Sequence, residues 1–111
     1  MNAMTRAYLE AALWTSELDA SHTLNDFAPE ALSQAEQDCE AFAAATIELR
    51  NGWAAVTDSQ AGHDFWLTRN RHGTGFWDRG LGEVGTQLTD IAHAFGGSDV
   101  YVGDDGKAYL S

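Results

Sequence analysis

Four side chains in the second half of this chain could do chemistry together: His63 and Asp64, then His72, then Asp78, with Arg69, Arg71 and Arg79 set among them. Imidazoles and carboxylates are donors for a divalent cation, and three of these around an open coordination position would make a small metal-dependent enzyme. The spacing matches no HExxH, CxxC or EF-hand loop. Aspartates and arginines in a turn-rich segment also tie that segment together as ion pairs, without any ligand. A structural ion-pair cluster is therefore the expectation, with no catalytic residue, no cofactor and no metal ligand assigned. Asp64, Asp78 and Glu83 could be paired for glycoside hydrolysis, but any acidic protein offers such pairs.

Gly80-Leu81-Gly82-Glu83-Val84-Gly85 matches the GxGxxG pattern of dinucleotide-binding loops letter for letter. Its surroundings do not fit, because no hydrophobic strand precedes it and Glu83 would stand where a pyrophosphate should. Packing at the start of a helix accounts for these glycines better. Cys39, the sole cysteine, lies on an apolar helical stripe and reads as a small buried hydrophobe. His22 and His93 show no partner pattern. The four tryptophans, at 14, 53, 66 and 77, are expected to serve the core.

Charge is the stronger signal. Between Arg6 and Arg50 the chain carries nine acids, Glu10, Glu17, Asp19, Asp26, Glu30, Glu36, Asp38, Glu40 and Glu48, and no lysine or arginine. Over all 111 residues, 17 acidic side chains oppose 6 basic ones, a net charge of −11. Nucleic-acid binding needs cations to neutralise phosphates, so this balance argues against it. A field of one sign instead suits a protein partner with a basic surface, and the nine acids are the candidate partner-binding residues. Reversing Glu36, Asp38 and Glu40 together to lysine is expected to abolish such binding without disturbing the fold.

Several elements must position these residues. A first helix is expected from about Thr5 to Glu17, with Thr5 as N-cap and Tyr8, Leu9, Ala12 and Leu13 as its apolar stripe. Asp19 to Asp26 reads as a loop. Pro29 suits the first turn of a second helix, whose stripe is Leu32, Ala35, Cys39, Phe42 and Thr46 and whose natural stop is Gly52. Glu36 and Glu40 stand one turn apart on its other face, a like-charge spacing that costs a few tenths of a kcal/mol, roughly. A third helix is expected from about Ser59 to Arg69, capped by Asp58 or Ser59, although Phe65, Trp66 and Leu67 would also suit a strand.

Phe76 and Trp77 are then expected to drop into the core, and Gly80 to Gly85 to lead into a helix reaching about Phe95, ended by Gly96 and Gly97. Asp99 to Val102 and Lys107 to Leu110 flank Gly103-Asp104-Asp105-Gly106, a β-hairpin signal. A lone hairpin is marginal in water, so it must lie on helices or pair with a third strand near Trp53 to Val56 or Phe76.

Ten of the eleven glycines lie between Gly62 and Gly106, and the first sixty residues carry ten acids against two bases while the rest carry seven against four. An acidic helical half, 1–57, thus precedes a turn-rich aromatic half, 58–111. Neither is long enough to bury a good core alone, so a single α+β domain is expected, mainly helical with a small antiparallel hairpin at its C-terminus. The sequence shows no apolar run of membrane-spanning length and no signal-peptide pattern, which suggests a soluble cytoplasmic protein.

The runs Gly62-His63-Asp64-Phe65-Trp66-Leu67-Thr68-Arg69-Asn70, His72-Gly73, Gly75-Phe76-Trp77-Asp78-Arg79-Gly80 and Tyr101-Val102-Gly103-Asp104-Asp105-Gly106-Lys107 resemble those of small acidic proteins from phages and mobile elements. Within that group the chain is similar to the type I-C anti-CRISPR proteins, over about the last half of its length. The resemblance implies an inhibitor that binds Cascade, the multi-subunit CRISPR surveillance complex of a bacterial host cell, and keeps target DNA from it. It carries over no catalytic residue. Cascade holds DNA in basic channels, so an acidic, DNA-mimicking face formed by the nine acids is the expected means. The alternatives are a phage accessory or structural protein whose acidity serves solubility, and the small metal-dependent enzyme described above.

Overall fold

The computed structural model describes residues 1–16, 18 and 22–111, and its first helix, α1, spans Ala3–Thr15. Its N-cap is Asn2 and not Thr5: the Asn2 side-chain oxygen accepts the Thr5 N–H at 2.8 Å, while Thr5 itself is buried. Helix α2 spans Pro29–Ala45 with Pro29 in its first turn, where the missing N–H costs nothing. It ends seven residues before Gly52. The Thr46 hydroxyl donates to Phe42 O at 2.9 Å, and the chain tightens into a 3-10 segment, Ile47–Trp53, held by Arg50 donating to Trp53 O and Val56 O.

Helix α3, Asp58–Arg69, is capped by Thr57, whose hydroxyl accepts the Gln60 N–H at 3.1 Å. From Asp64 to Arg69 every residue is buried, as are Ala61 and Gly62. A helix buried all round has no amphipathic period, which is why helix and strand could not be separated by pattern in this stretch. Helix α4, Glu83–Ala94, follows Gly80 and Gly82, both at positive φ (72° and 60°), and Gly96 at φ 75° closes it.

Helices α1 and α3 pack so that their contacts advance together, from Gly62 against the Met4 carbonyl through Tyr8 against Trp66. A Cβ at Gly62 would overlap that carbonyl, so glycine sets this spacing. On the other side α2 brings Phe42 flat against Phe65 at 4.2 Å and beside Phe76 at 5.5 Å, with Phe95 edge-on to Phe65 at 5.0 Å. Each fully buried phenylalanine contributes about 1.5–3 kcal/mol. The two sequence halves thus share one core.

Strands β1, Val100–Val102, and β2, Ala108–Leu110, form an antiparallel hairpin in the register Val100 to Leu110 and Val102 to Ala108. The fold is α+β, mainly helical with this two-stranded sheet at the C-terminus. The third partner of the hairpin is neither Trp53–Val56 nor Phe76. It is the chain just before α2, where Phe27 bridges Ala108 in parallel and the Ala28 N–H donates to Ala108 O at 2.9 Å. Ala108 is fully buried there. Trp77 also departs from expectation: Phe76–Asp78 is one 3-10 turn, which buries Phe76 and leaves Trp77 55% exposed.

Candidate partner-binding surface

The nine acids of the first half do not share one face. At about 100° per helical residue, Asp38 lies about 160° around α2 from both Glu36 and Glu40. Glu30, Gln34 and Asp38 follow one another at one-turn spacing along one flank, and the Gln34 amide donates to Asp38 Oδ1 at 2.9 Å. Leu32, Glu36 and Glu40 run along the opposite flank, where Leu32, together with Glu10 and Leu13 of α1, borders a groove. Glu36 and Glu40 are exposed, with no hydrogen-bond or ion-pair partner among the described residues.

Asp38 has a different job. Its Oδ2 accepts from Arg69 Nη1 at 2.8 Å, and the Arg69 side chain is only 6% exposed. The same guanidinium donates to Tyr8 OH (2.8 Å), Gly96 O (2.8 Å) and Phe95 O (3.1 Å), and it lies over the rings of Phe65 and Phe95. Arg69 therefore joins α1, α2 and α3 and satisfies carbonyls at the end of α4 that the helix leaves open. Asp38 supplies the charge that makes its burial tolerable. Including Asp38 in a charge-reversal triple would consequently damage the fold, contrary to the sequence-based expectation.

The remaining acids are placed as follows. Glu10 is exposed and paired with Arg6 at 3.1 Å. Asp26 closes a capping box at the 3-10 turn Leu24–Asp26, its Oδ2 accepting the Thr23 N–H at 2.6 Å. Glu30 is exposed in the first turn of α2, close enough to Tyr109 to act on its charge, and Glu48 is exposed at the start of the 3-10 segment Ile47–Trp53. Glu17 and Asp19 lie outside the described residues.

The second-half cluster is split. Asp64, fully buried, takes a two-pronged bond from Arg79 (Nη2 to Oδ1 2.8 Å, Nε to Oδ2 3.1 Å) and a third from Gln60 at 2.9 Å. These bonds hold the Arg79 guanidinium above its ordinary pKa. Asp78 accepts the Gly75 N–H at 3.1 Å, which lowers its carboxyl pKa. The ion-pair cluster thus holds for Asp64, Asp78 and Arg79 but not for Arg69, which pairs with Asp38 in the core, nor for Arg71, which is exposed and in no ion pair among the described residues. His63 stacks on Trp14 at 5.9 Å, whereas His72 lines a groove beyond the end of α3. Among the described residues no three His, Cys, Asp or Glu side chains gather where they could hold a metal ion. Cys39 is buried as expected, its thiol pushed up to about 12 by desolvation.

Sequence reasoning missed the exposed aromatics. Trp53 and Trp66 are buried, but Trp14 is 71% exposed on α1 beside His63, and Tyr101 is 49% exposed on the hairpin. Trp14 lies outside the apolar stripe of α1, one residue past Leu13, and that offset was the available signal. Tyr101 stacks on Tyr109 at 5.6 Å, and the Tyr109 hydroxyl donates to Asp105 Oδ2 at 2.6 Å. That bond lowers the Asp105 pKa and raises the tyrosine to about 12.

The molecule measures 43 × 25 × 22 Å. Duplex DNA of 43 Å would carry about 25 charges at one per 1.7 Å, more than twice the net −11 of this chain. The acids therefore form local charged flanks, far sparser than a duplex. No helix among the described residues is long and apolar enough to cross a membrane. Comparison with known proteins gives no matching family model, no matching curated protein and no matching solved structure.

Proposed function

We propose that this protein is a non-catalytic binding module that seats an acidic flank, Glu36 and Glu40 of α2, in a basic cleft of a protein partner. One contrast carries the reading. Four of the six basic side chains, Arg6, Arg50, Arg69 and Arg79, are engaged in ion pairs within the fold, leaving Arg71 and Lys107. Glu30, Glu36, Glu40 and Glu48, by contrast, are exposed with no ion-pair partner among the described residues, so the unpaired outward charge is predominantly negative. Outward charge of one sign raises association rates with a basic partner and excludes acidic ones.

The resemblance to type I-C anti-CRISPR proteins makes Cascade the partner to test, and the cytoplasm of a bacterial host the place of action. The charge density supports local plugging of a DNA channel in preference to imitation of a whole duplex. Binding of purified type I-C Cascade is measured with and without target DNA, using wild type and the double variant Glu36→Lys/Glu40→Lys. Mutual exclusion with DNA, steep salt dependence and loss of binding in the double variant are expected, with an unchanged circular dichroism spectrum. Full binding by the double variant, or binding that DNA does not disturb, overturns the proposal.

A further inference from the structure

The hairpin has one closed edge and one open edge. Gly103 N–H donates to Lys107 O and Ser111 N–H to Asp99 O, both at 2.9 Å, so Tyr101 and Tyr109 between them form the hydrogen-bonded pair. Val100 and Val102 therefore point their N–H and C=O groups away from β2. The equivalent outward carbonyl on β2, that of Ala108, is taken by Ala28, which closes that side. On the β1 side no hydrogen-bond partner for Val100 or Val102 exists among the described residues. Beside the start of β1 runs a groove of about 500 Å³, walled by Ala12, Thr15 and Ser16 of the α1 end and by Trp66, Asn70 and His72.

We infer that the open edge of β1 is a docking site for an extended, lysine- or arginine-rich segment of a partner protein, which adds as a third strand. Val100 and Val102 each supply one donor and one acceptor, enough to fix register over two pleats. The surroundings select for positive charge. Asp99 and Asp104 are exposed at the two ends of the strand, and Asp105 stands beside Asp104 in the turn. The last turn of α1, which holds no basic residue, presents its negative dipole end to the groove. Tyr101 offers an exposed ring face for a cation. A second copy of this chain would bring another −11 to the same edge, so charge disfavours self-pairing. This site is separate from the α2 flank and does not rest on the function proposed above.

The test uses the isotope-labelled full chain and an alternating Lys-Val octapeptide, with an alternating Glu-Val octapeptide as control, followed by amide NMR. The Lys-Val peptide is expected to shift Val100 and Val102 saturably, with a Kd of about 1 mM or tighter, and to slow exchange of both amides. Val102→Pro removes one outward N–H and spares the inward bonds of Tyr101 and Gly103, so the hairpin survives. It is expected to weaken peptide binding about two- to tenfold, the value of one hydrogen bond. Absence of shifts, shifts confined to α2, an equal response to the Glu-Val peptide or an unaltered response in Val102→Pro overturns the inference. So does concentration-dependent protection of Val100 and Val102 without peptide, which would assign the edge to a second copy.

Discussion

Two acids two positions apart on α2 should respond to neutralisation with opposite signs. Asp38→Asn keeps the shape of the side chain but removes the charge facing Arg69, leaving a guanidinium that is 6% exposed among two carbonyls, a phenol and two phenyl rings. Breaking a buried pair by removing one partner costs about 3–5 kcal/mol. The Asp38 side chain is 22% exposed and the other three Arg69 bonds survive, so about 2 kcal/mol is expected, or about 8 °C in Tm. Glu36→Gln, by contrast, relieves a like-charge pair with Glu40 and should gain a few tenths of a kcal/mol, roughly. Urea denaturation followed by circular dichroism reads both. At 1 M NaCl the Glu36→Gln gain should vanish, since the screening length is then about 3 Å, while most of the Asp38→Asn loss should persist. An Asp38→Asn variant within about 0.5 kcal/mol of wild type would refute the reasoning, because a typical surface change is that small.

Gly62→Ala should destabilise by about 1–3 kcal/mol despite the better helix propensity of alanine, because the methyl group meets the Met4 carbonyl; chemical denaturation decides. The Asp105–Tyr109 bond should give the hairpin two pH limits. Asp105 has a lowered pKa, so its contribution is complete above the unfolded carboxylate value near 3.9 and disappears as acidification passes the folded value. Tyr109 is raised to about 12, so its contribution is complete below about 10 and is lost between there and about 12; NMR of the two rings follows both limits. Cys39 should resist a thiol reagent in the native protein and react on addition of urea, since it is 1% exposed with its thiol at about 12. Acrylamide should quench the emission of Trp14 and Trp77 far more than that of Trp53 and Trp66, as single-tryptophan variants would report.

Most of the secondary structure was legible because it depends on local signals. Pro29, the glycine at 96 and the Asp-Gly turn marked their elements to within a few residues. Thr5 misled because a buried threonine one turn inside a helix looks the same in sequence as a cap, and only Asn2 has the geometry. Gly52 misled because the helix yields to a 3-10 segment where Arg50 binds carbonyls ahead of it in the chain. The candidate surface was less legible. A charge count records Asp38 and Glu36 as equals, and the difference between them lies in Arg69, 31 residues further on. Nothing local announces a contact made across that separation. The open edge of β1 was equally hidden, because it follows from Ala28 closing the opposite side.

The Arg69 network also ties the first half of the chain to a residue made late in synthesis. A ribosome releases α1 and α2 before any of α3, so from Glu48 until Arg69 is made the new chain holds nine or more acids and, besides Arg6 and Arg50, no base. α1 then lacks Gly62 and Trp66, on which it packs, and Asp38 lacks Arg69. Mutual repulsion opposes compaction of this segment, and Arg69 is the group that answers the charge of Asp38 in the finished fold. The acidity that faces outward in the finished protein thus also weighs against premature collapse of the first half.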